Sequence, residues 1–147
     1  MTRGTVFALF KDKVLYTGEF SGDMGCFDRA GQDLLELLRR LEEAVKHAGG
    51  TKIDEKVFTI AMDEFNKLHF NYDDFEVGAE KVDFIAFKIA EQPFSSTSDY
   101  EYYINLREEP VQLIDKKGNT IMLEYNSIAV FNFGKRLMKI YPVSNYS

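Results

Sequence analysis

The first 48 residues carry the pattern that most restricts the fold: two short β-forming runs followed by one long amphipathic run. Residues 4–10 are nearly all apolar, as in a strand that is buried on both faces. A polar break at 11–13 precedes a second run at 14–20, which predicts a β-hairpin. Apolar residues then recur at helical spacing and predict a helix: Leu34, Leu37, Leu38, Leu41, Val45 and Ala48.

Capping residues place the ends of this helix and the start of a second one. Asp28 is a candidate N-cap for the first helix, and Gly49-Gly50 ends it. The second helix is predicted to begin near Thr51 or Asp54. Its expected apolar stripe consists of Val57, Ile60, Ala61, Glu64 and Leu68, widened by Phe58, Met62 and Phe65.

Beyond residue 80 the hydrophobic period changes to two, which predicts strands. Residues 81–89 suggest one interior strand, and residues 100–107 alternate cleanly between two faces. Residues 111–114 and 120–125 flank the turn sequence Asp-Lys-Lys-Gly-Asn and predict a second hairpin. The segment 127–141 fits a helix or strands, and its β-branched and aromatic residues favour strands.

The order of these elements predicts an α+β fold for residues 1–147 as one domain. Two strands and two helices are followed by four to six further strands. We therefore expect a mostly antiparallel sheet with two helices packed on one face. A chain of 147 residues is long enough to enclose one core of ordinary size.

Charge and cysteine content exclude several classes of function. The chain has a formal charge of −6, with 10 acids and 3 bases in residues 73–109. A broad basic face is therefore absent from the sequence, and direct nucleic-acid binding is not expected. A single cysteine cannot form an internal disulfide, and no apolar run is long enough to span a membrane. We expect a cytoplasmic protein without membrane attachment.

Two residues could act as nucleophiles in an amide hydrolase. Cys26 lies just before the first helix, where the helix dipole lowers a thiol pKa, although a lone cysteine is more often a small buried residue. Thr2 would become an N-terminal nucleophile if Met1 were removed, with its own amine as the base. No second signature accompanies either residue, so no catalytic residue is assigned.

Metal and cofactor sites are not predicted. The sequence has no phosphate-binding glycine motif, no paired cysteines and no His-Glu-x-x-His motif. Asp23 with Asp28, or the acids at 73–76, could approach a divalent ion, but their spacing is better explained by solvated loops. The acidic middle segment could alternatively imitate a nucleic acid and block a basic partner.

The chain resembles a group of uncharacterised phage, bacterial and fungal proteins that begin Met-Gly-Thr-Arg-Gly. The resemblance is carried by residues 1–4, by the two first strands, by Phe20-Ser21-Gly22-Asp23, by Gly31 at the entry to the leucine-rich helix and by the strand at 100–106. It covers about a third of the chain. This chain lacks the glycine that follows Met1 in the family. It also lacks the Tyr-Pro pair that the family has in the glycine-rich segment between the first hairpin and the first helix. The resemblance implies a shared scaffold and a phage-like setting, and it implies no chemistry.

The function that the sequence favours is a small non-enzymatic binding or inhibitor-type accessory protein that acts on a protein or a small ligand. The glycine-rich elbow between the first hairpin and the first helix would form its binding site, because glycines let a ligand approach the backbone and a helix start offers N–H donors. The predicted binding residues are Arg3, Gly4, Gly22, Asp23, Gly25, Cys26 and Asp28.

Overall fold

A computed structural model describes residues 3–17, 31–69, 77–82, 84, 86–91, 99–132 and 136–143. Within these ranges the chain forms two α-helices, nine strands and a short 3₁₀ helix at Ile89–Glu91. The elements are β1 (Gly4–Leu9), β2 (Lys13–Thr17), α1 (Gln32–His47), α2 (Glu55–His69), β3 (Val77–Lys81), β4 (Phe87–Lys88), β5 (Tyr100–Asn105), β6 (Val111–Ile114), β7 (Thr120–Leu123), β8 (Ser127–Asn132) and β9 (Arg136–Pro142).

The strands form two sheets, and each contains one parallel pair. The larger sheet has the order β3-β2-β1-β5-β8-β9, in which β1 and β5 are parallel and all other neighbours are antiparallel. The smaller sheet has the order β4-β6-β7, with β4 parallel to β6. The α+β class is thus confirmed. The finer prediction matches only in part, because both sheets are mixed and seven described strands follow the helices.

Both helices pack on one face of the six-stranded sheet, as the sequence predicted. Leucines of α1 and aromatic residues of α2 meet the side chains that point to this face from the central strands. The buried cluster includes Leu34, Leu35, Leu38, Phe58, Met62, Phe65, Val6, Ala8, Tyr102, Ile104, Ile128 and Val130. The predicted alternation in β5 is confirmed here, since Tyr102 and Ile104 lie in this cluster and Tyr103 does not.

The predicted apolar stripe of α2 is confirmed only in part. Val57 and Ile60 are 36% and 55% exposed, whereas Phe58, Met62 and Phe65, which were expected only to widen the stripe, form its buried face. The two sets lie about 100° apart on a helix, and both satisfy helical spacing. The larger side chains occupy the core because they remove more apolar area from water.

The opposite face of the six-stranded sheet is covered by the three-stranded sheet. Here the ring of Phe7 stacks on Tyr103, with centroids 4.8 Å apart, and Phe131 meets Tyr103 edge to face at 5.3 Å. Phe87, Val111, Leu113 and Leu123 cover this cluster from the smaller sheet. The two layers explain why β1 is buried along its whole length.

One interior strand at residues 81–89 was predicted, and this prediction is wrong. Val77–Lys81 forms β3 at an edge of the larger sheet, and Phe87–Lys88 forms β4 at an edge of the smaller one. The apolar run is therefore explained by a passage between two sheets. Val82 and Phe84, the described apolar residues of this passage, pack against the buried cluster between the two sheets.

The predicted end of α1 and the predicted turn at residues 115–119 are confirmed. Gly49 ends α1 with φ = 81°, and Gly118 in the β6–β7 hairpin has φ = 90°, both in the left-handed region that glycine tolerates. Within the segment 127–141, Ser127–Asn132 and the described residues from Arg136 onward form strands, as favoured, and β9 ends at Pro142. The described part of α1 begins at Gln32, and the candidate N-cap Asp28 lies outside the described residues.

Candidate functional site

A cleft of about 550 Å³ opens at the carboxyl ends of the parallel strands β1 and β5. Parallel strands present their carboxyl ends at the same edge of a sheet, and ligands in α/β sheets commonly bind there. Three segments line the cleft: residues 10–12 after β1, residues 106–109 after β5, and residues 52–55 at the start of α2. Its size falls within the roughly 300–1,000 Å³ of small-molecule sites.

Asn105, the last residue of β5, fixes the wall that follows this strand. Its side chain is fully buried, and its Nδ2 group donates to the backbone oxygens of Glu109 at 3.0 Å and Leu123 at 2.9 Å. Its Oδ1 atom accepts a hydrogen bond from the backbone N–H of Arg107 at 2.8 Å. One amide thus holds residues 107–109 in a defined position and ties them to β7.

The wall formed by the start of α2 is held in a similar way. The Asp54 side chain accepts a hydrogen bond from the backbone N–H of Val57 at 2.8 Å and so caps the helix. The backbone N–H of Ile53, which is buried, donates to the Tyr125 hydroxyl at 3.2 Å. Burial raises the pKa of Tyr125, and its hydroxyl stays protonated at neutral pH. The cleft is therefore preformed on both sides.

The cleft has charged walls with a surplus of acids. The described residues of its lining include three bases and five acids, a formal charge of −2. Lys52 and Glu108 approach to 3.3 Å and join two of the three walls, and Lys13 binds Glu55 at 3.1 Å beside the cleft. Lys11 and Asp12, exposed at the β1–β2 turn, are in no ion pair with a described residue. The site is thus polar and offers both signs of charge.

Arg107 is the least solvated of the charged groups that line the cleft. Its side chain is 15% exposed, and its guanidinium carbon lies 4.7 Å from the centre of the Phe84 ring. Its Nε atom is buried without a hydrogen-bond partner. Its ion pair with a described residue is a 3.6 Å contact between Nη2 and Oε2 of Glu109, and the Glu109 side chain is 81% exposed.

The predicted elbow site is described only at Arg3 and Gly4, which lie at the amino end of β1. The backbone N–H of Arg3 donates to Asp99 at 2.8 Å, and its carbonyl accepts from the Tyr100 N–H at 3.0 Å. This end of β1 is opposite to the cleft. Thr2, Gly22, Asp23, Gly25, Cys26 and Asp28 lie outside the described residues. The elbow site and both candidate nucleophiles therefore stay predictions.

Two further features concern the described residues alone. They contain no group of three or more His, Cys, Asp or Glu side chains that could hold a metal ion. The acids at 73–76, considered above for a divalent ion, lie outside them. Neither described helix combines the length and the apolar character needed to cross a bilayer.

Comparisons with protein-family models, with curated proteins and with solved structures give no match for this chain. The resemblance to the Met-Gly-Thr-Arg-Gly proteins stays a prediction.

Sequence reasoning missed the cleft, although a signal for it is present. Lys11-Asp12 and Arg107-Glu108-Glu109 are charged runs, and each comes directly after a nearly apolar strand. Charged residues at the ends of two buried strands would have indicated a common edge only if the strands were known to be parallel neighbours. That pairing was not foreseen.

Proposed function

We propose that this chain is a small non-enzymatic binding protein that holds a small polar ligand in the cleft between β1, β5 and α2. The observation that carries the proposal is the position of the cleft at the carboxyl ends of the parallel pair in the larger sheet. This edge is where backbone groups and loops converge, so a sheet offers a ligand more contacts here than along its sides.

The rigidity of the walls supports a binding role. The Asn105 amide and the Asp54 cap fix two of the three segments before any ligand arrives. A preformed site loses less conformational entropy on binding than a site that must order itself. The Lys52–Glu108 pair then joins these two segments, at a contact that salt weakens.

The composition of the lining favours binding over nucleophilic hydrolysis at this place. The described residues of the lining include no Ser, Thr, Cys or His. An amide hydrolase would instead have to use Thr2 or Cys26, which lie outside the described residues. Thr2 precedes β1 in the chain, and the amino end of β1 lies about 20 Å from the cleft at the usual strand rise of roughly 3.3 Å per residue. Hydrolysis at that end of the chain is the second candidate function.

Imitation of a nucleic acid has less support. It requires the acids of residues 73–109 to lie on one exposed surface. Glu101, however, is 1% exposed within the central strand β5. A carboxylate at this position cannot stand in for a solvent-facing phosphate.

Backbone amide shifts in NMR spectra test the proposal, because they report where a probe binds. The probes are the twenty amino acids, four mononucleotides, small dicarboxylates and monosaccharides, each added to the folded chain. We expect at least one probe to shift the amides of Lys11, Asp12, Asp54 and Arg107 with a saturable titration. If none moves these four amides, the proposal fails. Saturable shifts confined to Gly4 would instead favour the elbow.

A further inference from the structure

Arg107 presents a partly buried cation whose buried Nε atom has no hydrogen-bond partner. A guanidinium has five N–H donors, and a charge removed from water is normally both paired and hydrogen-bonded. Here Nε has no partner, and the Glu109 contact at 3.6 Å is too long for a hydrogen bond. The face of the group is held against Phe84, which fixes its plane. Arg107 is thus oriented in the cleft wall with most of its donors unused.

A carboxylate is the group that fits this arrangement best. The planar fork of arginine matches the two oxygens of a carboxylate, and such a pair forms two parallel charge-assisted hydrogen bonds. Glu109 occupies that position only loosely, because its side chain is 81% exposed. A ligand carboxylate can therefore displace it, and Glu109 then returns to water at little cost.

The remaining charges of the cleft argue against a ligand that is only an anion. The described lining residues comprise five acids and three bases, and with Lys13 paired to Glu55 beside the cleft a surplus of one acid remains. This surplus disfavours a phosphate or a dicarboxylate, which carries about two negative charges. Asp12 has no described ion-pair partner and lies in the same lining. A positive group on the ligand would be attracted by this surplus of carboxylates.

We propose that the ligand of the cleft is a zwitterion of the amino-acid type, whose carboxylate binds Arg107 and whose ammonium group binds Asp12. This inference rests on the proposed function, since it names the ligand class of the same cleft. Both contacts are ionic, and their combination selects against molecules that carry one of the two charges alone.

The test compares each of the twenty free amino acids with its amide and its N-acetyl derivative, with inorganic phosphate as a further probe. Binding is measured from the amide shifts of Lys11, Asp12 and Arg107. We expect the free amino acid that binds best to bind at least tenfold more tightly than either derivative. Equal binding of the amide, or tighter binding of the N-acetyl form or of phosphate, overturns the proposal.

Variants show whether Arg107 and Asp12 are responsible. Arg107→Lys keeps the charge and loses the planar fork, so the dissociation constant should rise about tenfold or more. The matched control Arg40→Lys changes an arginine whose side chain is 76% exposed on α1, and it should leave binding unchanged. Asp12 lies at an exposed turn, so the variant Asp12→Asn should fold normally. It should bind the free amino acid with a smaller preference over the N-acetyl form than the parent chain does.

The outcomes separate this inference from the proposed function. If no probe of any class moves the cleft amides, the proposed function fails and the inference fails with it. If a nucleotide or a sugar saturates the cleft, or if Arg107→Lys binds as the parent does while its spectrum shows the native fold, the binding function stands and the zwitterion is wrong.

Discussion

Replacing Asn105 by alanine should destabilise the chain strongly, because one buried amide satisfies three backbone groups. The substitution removes the hydrogen bonds to the carbonyls of Glu109 and Leu123 and the one from the N–H of Arg107. A hydrogen bond contributes about 1 kcal/mol net, and a buried group left without its partner costs about 1–3 kcal/mol. We expect a loss of about 3–4 kcal/mol, a large share of the roughly 5–15 kcal/mol by which domains are stable.

Urea unfolding, followed by circular dichroism, measures this loss. With a slope of about 2 kcal/mol per molar urea, the middle of the usual range, the midpoint should fall by roughly 1.5–2 M. The matched control is Asn119→Ala, which removes an exposed side-chain contact with Asp115 and should cost about 1 kcal/mol or less. Hydrogen exchange at the backbone N–H of Arg107 supplies a second readout and should become faster in Asn105→Ala.

A midpoint for Asn105→Ala close to that of Asn119→Ala would refute the reasoning. It would mean that water or a rearranged loop satisfies the three backbone groups. The cleft wall would then not depend on this side chain. The variant Asn105→Asp gives a stricter comparison. It keeps the oxygen that accepts from the backbone N–H of Arg107, but it places a carboxylate oxygen next to the two carbonyl oxygens of Glu109 and Leu123. At neutral pH it should be at least as destabilising as alanine.

Three further predictions follow from the core and the turns. Phe58→Ala should cost about 3–5 kcal/mol of unfolding free energy, whereas Ile60→Ala should change it by less than about 0.5 kcal/mol; comparable costs would contradict the assigned face of α2. Gly118→Ala should cost about 1 kcal/mol, measured by thermal unfolding, because the residue has φ = 90° in open space, and no loss would show that the hairpin adopts another turn. Burial, and secondarily the charge of Glu101, raises the pKa of Tyr103 well above its ordinary value. The unfolded chain ionises this tyrosine first, so stability is complete below pH about 10 and is lost as the pH rises further. Ultraviolet titration should show Tyr103 ionising only with unfolding, and Tyr103→Phe should lessen this alkaline loss.

The elements that local patterns define were predictable from the sequence. The alternation in β5, the hairpin around Gly118 and the end of α1 at Gly49 each depend on neighbouring residues alone. The class of the fold followed from their order.

The errors arise where a residue's environment is decided by distant parts of the chain. The face of α2 was ambiguous because two stripes share helical spacing, and only packing on the sheet selects Phe58 over Val57. The segment after Lys81 was taken for one strand because nothing local shows that it passes from one sheet to another. The cleft was missed for the same reason: Lys11 and Arg107 are brought together by the parallel pairing of β1 with β5.

The parallel pairing of β1 with β5 also limits how the chain can acquire its structure during synthesis. Gly4 lies opposite Tyr100 in the register, so the first strand meets its central neighbour only after another 96 residues have been added. At about 5–20 residues per second, the ribosome needs roughly 5–20 s for this interval. The hairpin and both helices leave the ribosome earlier. Until β5 follows, the edge of β1 that pairs with it stays unpaired. The same separation in sequence should also slow refolding of the complete chain, because the loop must close before the contacts between β1 and β5 can form.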